Sequence, residues 1–373
     1  PERILFIELS EMGSAILAFK ALKEAEKLVG KNNLFFLIFE ENKESVLIAG
    51  VVKEENVITI NSKDFFSLTK TTLKALLKVW SLKIDTVVDL ELFSRFTAIL
   101  GFLTGAVNIV GFHNFKEEGL YRGNFLTHKV LYNPFKHISL NFLALVSSLK
   151  LSANKEKESL TPPLVKRKLS ANLLPYPYFK PSKEVIDKVK LKLKERGLSK
   201  KKFLVFNPDP GQLRLRQWPI KNFASLAQGL LEKFEELEIV VSGTKSSKVY
   251  CEQLQSLLPA KSSSFLINFC GETSSLSELS ALFCLSQAVV TSDSGAAHIA
   301  AVSGANTFVL FGPETPLRYK PLGKNVKVFF KGLHCSPCFS AFNHRQSPCL
   351  DNVCLKAITV KEVEKAVEKV LQV

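Results

Sequence analysis

Short apolar runs alternate with longer stretches of helical periodicity along most of the chain. Residues 3–9 carry a continuous apolar run, Ile4-Leu-Phe-Ile7, of the length expected for a strand buried on both faces. Residues 10–14 follow as a polar loop. Residues 15–29 place Ile16, Leu17, Phe19, Ala21 and Leu22 at the period of a helix lying on a core. Residues 34–39, 57–60, 85–89 and 107–110 read as further strands. Residues 65–80 read as a helix with Leu68, Leu73, Leu76, Leu77 and Trp80 turned inward, and 93–103 as another. Residues 113–150 are aromatic, polar and irregular, and read as a lid or acceptor-side segment. Residues 151–174, rich in Lys, Ser and Pro, read as a linker.

Beyond it the alternation repeats. A basic helix over 182–196 is capped by Ser182 and closed by Gly197. Strands are predicted at 203–207, 238–242 and 266–268, with helices at 222–234, 247–257 and 275–286. The apolar run at 288–291 then enters a polar turn, Ser292-Asp-Ser-Gly295, and a helix of small residues over 296–301. A strand at 307–311 and the turn Gly312-Pro-Glu-Thr-Pro316 follow, and 359–373 forms a terminal amphipathic helix. This alternation predicts an α/β protein of two doubly wound, Rossmann-like domains, 1–174 and 175–373, facing across a cleft at the carboxyl ends of both sheets.

The length of 373 residues and the 46% hydrophobic content agree with two cores. The net charge of +15 favours acidic partners: phosphorylated ligands, anionic membrane surfaces or nucleic acid. Residues 180–202 hold ten Lys/Arg against three Asp/Glu. No basic motif interleaved with aromatics accompanies them, so nucleic acid is not expected as a partner. The start of the chain shows no charged and apolar leader, and the apolar window 92–112 is broken by Arg95, Asn108 and glycines. The expectation is a cytoplasmic chain, peripheral at the inner face of the cytoplasmic membrane, whose cysteines are reduced or metal-bound.

The turn at 292–295 carries the most chemistry. A strand that turns sharply into a small-residue helix presents free backbone N–H groups and the positive end of the helix dipole, which together suit a phosphate. Ser294, Gly295, Ala296 and Ala297 supply that backbone, and His298 lies one turn in. The same residues also read as an ordinary capped strand–helix–strand unit.

Around this turn, Arg216-Gln-Trp-Pro219, Gly271-Glu-Thr-Ser-Ser-Leu276, Asp293-Ser-Gly-Ala-Ala-His298, Phe311-Gly-Pro313 and Cys335-Ser-Pro-Cys338 occur in an order and spacing that resembles the C-terminal half of glycosyltransferase family 9, the lipopolysaccharide heptosyltransferases and their relatives. The likeness covers residues 203–365 and continues more weakly through 3–29 and 85–112. It implies a GT-B arrangement. It also implies inverting, metal-independent transfer of a heptose-like sugar from a nucleotide-diphosphate donor, such as ADP-heptose, to a lipid-linked saccharide. No cofactor is required by that chemistry.

On the donor side, the resemblance gives Arg216 a phosphate contact and brings Gly243 and Thr244 to the nucleotide, with Asp293 inside the phosphate turn. Lys245 stands where several relatives have an acidic residue for the ribose, and a lysine cannot accept those hydrogen bonds. On the acceptor side, the family reads Gly-Asp after the first strand, with the Asp as general base. Here the residues are Gly13-Ser14. A serine hydroxyl is too weak a base alone. Glu11 is the substitute, with Ser14 as its hydrogen-bonding orienter; the alternative is a catalytically impaired nucleotide-sugar-binding relative. Cys335, Cys338, Cys349 and Cys354 have a spacing open to structural zinc, to disulfides or to buried thiols.

Overall fold

The computed structural model describes residues 1–113, 121–150, 176–211 and 213–372. They divide into two compact units, Pro1–Pro177 and Tyr178–Val373. The linker at 151–174 lies outside the described residues.

Unit 1 contains strands β1 (Ile4–Ile7), β2 (Leu34–Phe39), β3 (Val57–Ile60), β4 (Thr86–Asp89), β5 (Asn108–Phe112) and β6 (His128–Val130). They form one parallel six-stranded sheet in the order β3-β2-β1-β4-β5-β6. Its helices are α1 (Met12–Leu17), α2 (Phe19–Val29), α3 (Lys43–Ala49), α4 (Phe65–Ser81), α5 (Arg95–Leu103) and α6 (Ile138–Ser148). All four residues of β1 are fully buried, as a central strand covered on both faces must be.

Four expectations are corrected here. The helix after β1 starts at Met12 rather than 15, so Glu11 occupies its N-cap and Ser14 its first turn. First-turn N–H groups have no intrahelical partner, so weak helix formers such as Gly13 and Ser14 cost little there. In α4, Leu76 and Val79 are buried, but Leu73, Leu77 and Trp80 are exposed, because the apolar arc of this helix is wider than the face it packs. The described part of the segment 113–150 holds two regular elements: β6 extends the sheet beside β5, and α6 packs on α2. Helix α6 is apolar around most of its circumference and therefore gives no amphipathic period. Finally, a strand at the edge of the second sheet, Val326–Phe329, went unread, because it is only partly buried and the exposed Lys327 breaks its apolar run.

Unit 2 contains β7 (Lys202–Asn207), β8 (Leu237–Val241), β9 (Leu266–Asn268), β10 (Ala288–Ser292), β11 (Thr307–Leu310) and β12 (Val326–Phe329). The parallel order β12-β11-β10-β7-β8-β9 repeats the winding of unit 1. Its helices are α7 (Lys183–Glu195), α8 (Ile220–Lys233), α9 (Lys248–Leu257), α10 (Ala260–Ser263), α11 (Leu276–Leu285), α12 (Gly295–Val302), α13 (Pro316–Tyr319), α14 (Val353–Lys356) and α15 (Val360–Leu371). Trp218 is fully buried edge-on against Phe223, with ring centroids 5.0 Å apart, and its Nε1 donates to the Ile358 carbonyl at 3.1 Å.

The basic helix α7 is capped by Ser182, whose Oγ accepts the Val185 N–H. Much of its charge is spent inside the unit. Lys188 and Lys192 lie 2.7 and 2.8 Å from the Glu278 carboxylate, and Arg196 lies 2.6 Å from Glu272. Burial alone would raise Glu278, but the hydrogen bonds from the two lysines outweigh it and hold the carboxyl at about 2.

In both units the winding reverses beside the first strand, between β1 and β4 and between β7 and β10. In open α/β sheets the crevice outside the carboxyl ends at such a reversal is where ligands bind.

Candidate functional site

In unit 2 the reversal lies under the turn after β10. Ser294 is the N-cap of α12, with extended backbone angles, yet its hydroxyl makes no capping hydrogen bond. Among the described residues that buried Oγ has no hydrogen-bond partner. The caps Ser182 and Ser275, by contrast, are satisfied by their own helices. Gly295 and Ala296 are half-buried at the mouth of the turn, and Ala297 and His298 are buried in the first turn of the helix.

Arg216 sits on a 3-10 turn, Arg214–Arg216, pinned by the buried Trp218 that follows it. Its Nε lies 3.3 Å from the Asp293 carboxylate, and Nη1 donates to the Asp293 carbonyl at 3.4 Å. The guanidinium stands 5.9 Å from the centre of the Phe339 ring. The structure thus brings Arg216 against the turn that carries Asp293, Ser294 and His298, with Asp293 holding the arginine.

Gly243 and Thr244 follow β8. A Cβ on Gly243 would lie 2.5 Å from the Ser247 Cβ, so only glycine allows the backbone this approach. Thr244 Oγ1 lies 2.8 Å from Ser246 Oγ and 3.0 Å from Ser247 Oγ, and Ser247 Oγ donates to the Asp209 carboxylate. Asn207, at the end of β7, donates to the Ser242 carbonyl at 3.1 Å and accepts from Thr291 at 3.4 Å. Asp209 and Asn207 were not singled out in the sequence; no local motif marks them, and only the shared sheet end does.

Glu314 was likewise missed, although its turn was noted. It is fully buried, accepts from Arg318 at 3.1 Å and lies near Asp293. Burial raises its carboxyl from 4.5 to about 7, with Asp293 adding to the rise and Arg318 opposing it. Because the folded carboxyl holds its proton to higher pH than the unfolded one, this group's stabilisation is complete below 4.5 and is lost as pH rises through about 7. The shift corresponds to at most about 3 kcal/mol. Urea midpoints measured from pH 5 to pH 8 should fall for the native chain and fall less for Glu314→Gln. Identical slopes would remove Glu314 as the titrating group.

In unit 1 the reversal gathers carboxylates. Glu8, just past β1, is buried, and its Oε1 accepts the Glu11 N–H at 3.2 Å. Its carboxyl is held well above the usual range by burial first, then by the neighbouring charges of Glu91 and Glu11. Glu11 is half-buried and its Oε2 accepts the Ser14 hydroxyl at 2.9 Å. Glu91 accepts the Leu9 N–H at 3.2 Å and the Ser10 hydroxyl at 3.3 Å. Burial, then the charge of Asp89, raises its carboxyl too. Asp89, at the end of β4, is ion-paired with the buried Arg122, which also donates to the carbonyls of Ser94 and Glu91 at 3.0 and 2.6 Å. Glu91, Asp89 and Arg122 carried no signal in the sequence, since their pairing spans dozens of residues.

The four cysteines whose spacing allowed a zinc site lie between residues 335 and 354. Cys335 is exposed, Cys338 and Cys349 are half-buried and Cys354 is buried; all are free thiols. Cys349 Sγ donates to the Asp351 carbonyl at 3.0 Å. Burial, then the proximity of Cys338 and Cys335, pushes the Cys354 thiol up. Among the described residues no three His, Cys, Asp or Glu side chains converge as metal donors. The backbone of this segment instead folds onto the Gly312–Pro313 turn, with Cys338 and Phe339 both donating to the Pro313 carbonyl, at 2.9 and 2.8 Å.

Comparison with known proteins bears on what these sites do. The chain is 27% identical to lipooligosaccharide heptosyltransferase 2 of Haemophilus influenzae over 156 residues, 42% of this chain and 44% of that protein. It is 28% identical to lipopolysaccharide heptosyltransferase 2 of Salmonella typhimurium over 161 residues, 43% and 45% of the two chains. The matched part is thus under half the length of these curated relatives. The fold is similar along its whole length to that of E. coli ADP-heptose lps heptosyltransferase II, with TM-score 0.73, 17% identity and coverage of 99% and 98%. An E. coli heptosyltransferase solved with ADP gives TM-score 0.64 at 17% identity, covering 99% of each chain. Residues 129–347, more than half of the chain, match the model of glycosyltransferase family 9 (heptosyltransferase). Two doubly wound sheets, a phosphate-type turn after β10 and this match across most of unit 2 show that the chain belongs to glycosyltransferase family 9.

Proposed function

We propose that this protein is an inverting glycosyltransferase that moves a heptose-like sugar from a nucleotide-diphosphate donor of the ADP-heptose kind to a lipid-linked saccharide. The observation that carries this reading is the uncommitted Ser294 cap beside Arg216. A cap hydroxyl and first-turn N–H groups not used by their own helix can bind the oxygens of a diphosphate. Arg216 and His298 would add charge and hydrogen bonds where negative charge grows as the leaving group departs. Neutralisation by protein groups leaves no step that needs a metal ion.

In unit 1, Glu11 takes the proton of an acceptor hydroxyl. That oxygen bonds to the anomeric carbon as the bond from the anomeric carbon to the diphosphate oxygen breaks, so the configuration inverts. Ser14 orients Glu11 through the 2.9 Å hydrogen bond. A lipid-linked acceptor puts the enzyme at a membrane surface, on the cytoplasmic side where nucleotide sugars are made.

Arg216→Ala should weaken nucleoside-diphosphate binding by about 1.5–3 kcal/mol, the range for charge-assisted hydrogen bonds. Isothermal calorimetry with ADP reads this directly. Arg216→Lys, which keeps the charge but not the planar fork, should recover only part of the loss. Because Asp293 loses its partner in both variants, melting temperatures are measured alongside. Native ADP affinity in a folded Arg216→Ala protein would remove the arginine from the site.

A further inference from the structure

Helices α4 and α5 of unit 1 expose large apolar side chains. On α4, Phe66, Leu73, Leu77 and Trp80 recur at helical spacing as one stripe, with exposures from 51% for Trp80 to 83% for Phe66. On α5, Phe96, Ile99, Phe102 and Leu103 are exposed as well. The two stripes meet where Trp80 Nε1 donates to the Leu103 carbonyl at 3.0 Å. Phe125 extends the face, its ring centroid 4.8 Å from that of Phe102. An apolar face of this extent on a water-soluble surface marks an interaction site.

The charge pattern selects the partner. Residues 65–84 contain Lys70, Lys74, Lys78 and Lys83 and no Asp or Glu, and α5 has Arg95 and no acid. Lys70, Lys74 and Lys78 follow one another at four-residue spacing, forming a column beside the apolar stripe. Lysine is depleted in the cores of protein interfaces, but its aliphatic stem can lie along an apolar face while its ammonium reaches an anionic headgroup. An apolar stripe flanked by lysines is the pattern of a helix lying in a membrane interface. The Trp80 indole N–H is already satisfied within the protein, so its ring can enter the acyl boundary without a lost hydrogen bond. Thr69 and Ser81 likewise donate to backbone carbonyls of α4, at 2.9 and 2.8 Å. The basic helix α7 has no such apolar stripe, and its lysines are partly neutralised by Glu278.

We infer that the α4–α5 face is the surface by which this protein lies on an anionic lipid bilayer, with Phe66, Leu77 and Trp80 entering the interface and Lys70, Lys74 and Lys78 on the headgroups. This does not rest on the transferase reading, because binding to vesicles needs neither donor nor turnover.

The test is flotation of the full chain with phosphatidylcholine vesicles, with and without phosphatidylglycerol. The native chain should float with the anionic vesicles. Phe66→Ser and Leu77→Ser, each at an exposed position, should each weaken binding about tenfold, roughly the worth of one buried apolar side chain. Lys70→Glu/Lys74→Glu/Lys78→Glu should abolish binding at low salt, whereas Lys183→Glu/Lys190→Glu on α7 should leave it unchanged. The chain has two tryptophans, and Trp218 is fully buried, so a blue shift of emission on adding vesicles reports Trp80 entering the lipid. Far-UV circular dichroism and the melting temperature check that every variant is folded. Failure of the native chain to float, equal flotation of the serine variants, or loss of binding in the α7 variant would overturn the inference. So would a native dimer that Leu77→Ser converts to monomer without any change in vesicle binding, which would make this face a contact between two copies of the chain.

Discussion

Glu11→Gln lowers sugar transfer by about 10²–10⁴-fold, the usual cost of losing a general base, and leaves ADP binding unchanged. Three carboxyl groups crowd the end of β1, and the structure separates them. Glu8 is buried and held well above the usual carboxylate range, by burial and by its neighbours Glu91 and Glu11. Glu91 is raised in the same way, by burial and Asp89. Both already accept backbone N–H groups, Glu8 from Glu11 and Glu91 from Leu9. Glu11 is the member of the group that sits at the N-cap of α1 and is oriented by the Ser14 hydroxyl at 2.9 Å. Single-turnover assays with an ADP-heptose donor measure the rate, and calorimetry with ADP measures binding.

Ser14 stands where the family resemblance puts an aspartate, which supplies a second arm. Ser14→Asp should keep or raise the native rate, and in the Glu11→Gln background it should restore part of what was lost. Transfer by Glu11→Gln at the native rate would place the base elsewhere. A native chain that transfers nothing, alongside an active Ser14→Asp variant, would leave only the binding half of the proposed function.

Arg122→Ala destabilises unit 1 by about 3–5 kcal/mol, the range for removing one partner of a buried ion pair. The side chains of Arg122 and Asp89 are 6% and 1% exposed, so the orphaned aspartate has no water to turn to. Arg122 also donates to the carbonyls of Ser94 and Glu91 and, at 3.1 Å, to Thr97 Oγ1. The alanine therefore releases the turn after β4 as well as the charge. Urea unfolding gives the free energy. Replacing both members, Arg122→Met with Asp89→Leu, should cost much less, because well-packed apolar side chains often substitute for a buried pair with little loss. Equal losses in the single and double variants would show that the backbone hydrogen bonds, not the charge, hold this corner. Because Glu91 accepts from the Leu9 and Ser10 loop, slackening here should also lower transfer, with little effect on ADP affinity in unit 2.

How much of this was legible in the sequence depends on the distance over which each feature is decided. The α/β alternation, the cap at Ser182 and the strand–turn–helix at Ser294 are local: a few consecutive residues set backbone preference and apolar period, and those preferences survive in the fold. The hydrogen bond from Ser14 to Glu11 is equally short-range, spanning one turn. Periodicity alone did not reveal which way a stripe faces. Leu73, Leu77 and Trp80 carry the same helical spacing as a core face, and only the packing of α4 on the sheet, which needs Ala75, Leu76 and Val79, leaves them outside. Helix α6 escaped for the opposite reason, being buried on nearly every side. The cysteine spacing permitted a metal site, but converging donors is a matter of three-dimensional direction, and among the described residues no three His, Cys, Asp or Glu side chains converge. The pairs that shape the sites, Asp89 with Arg122 and Arg216 with Asp293, are 33 and 77 residues apart in the chain. The sequence by itself determined most of the elements, their α/β alternation and the strand–turn–helix at Ser294, because these follow from local backbone and apolar patterning. The tertiary structure alone decided which carboxyls are buried and raised, which arginine meets which acid, and which apolar face is left to the solvent, because burial and charge pairing are set by what the fold brings alongside.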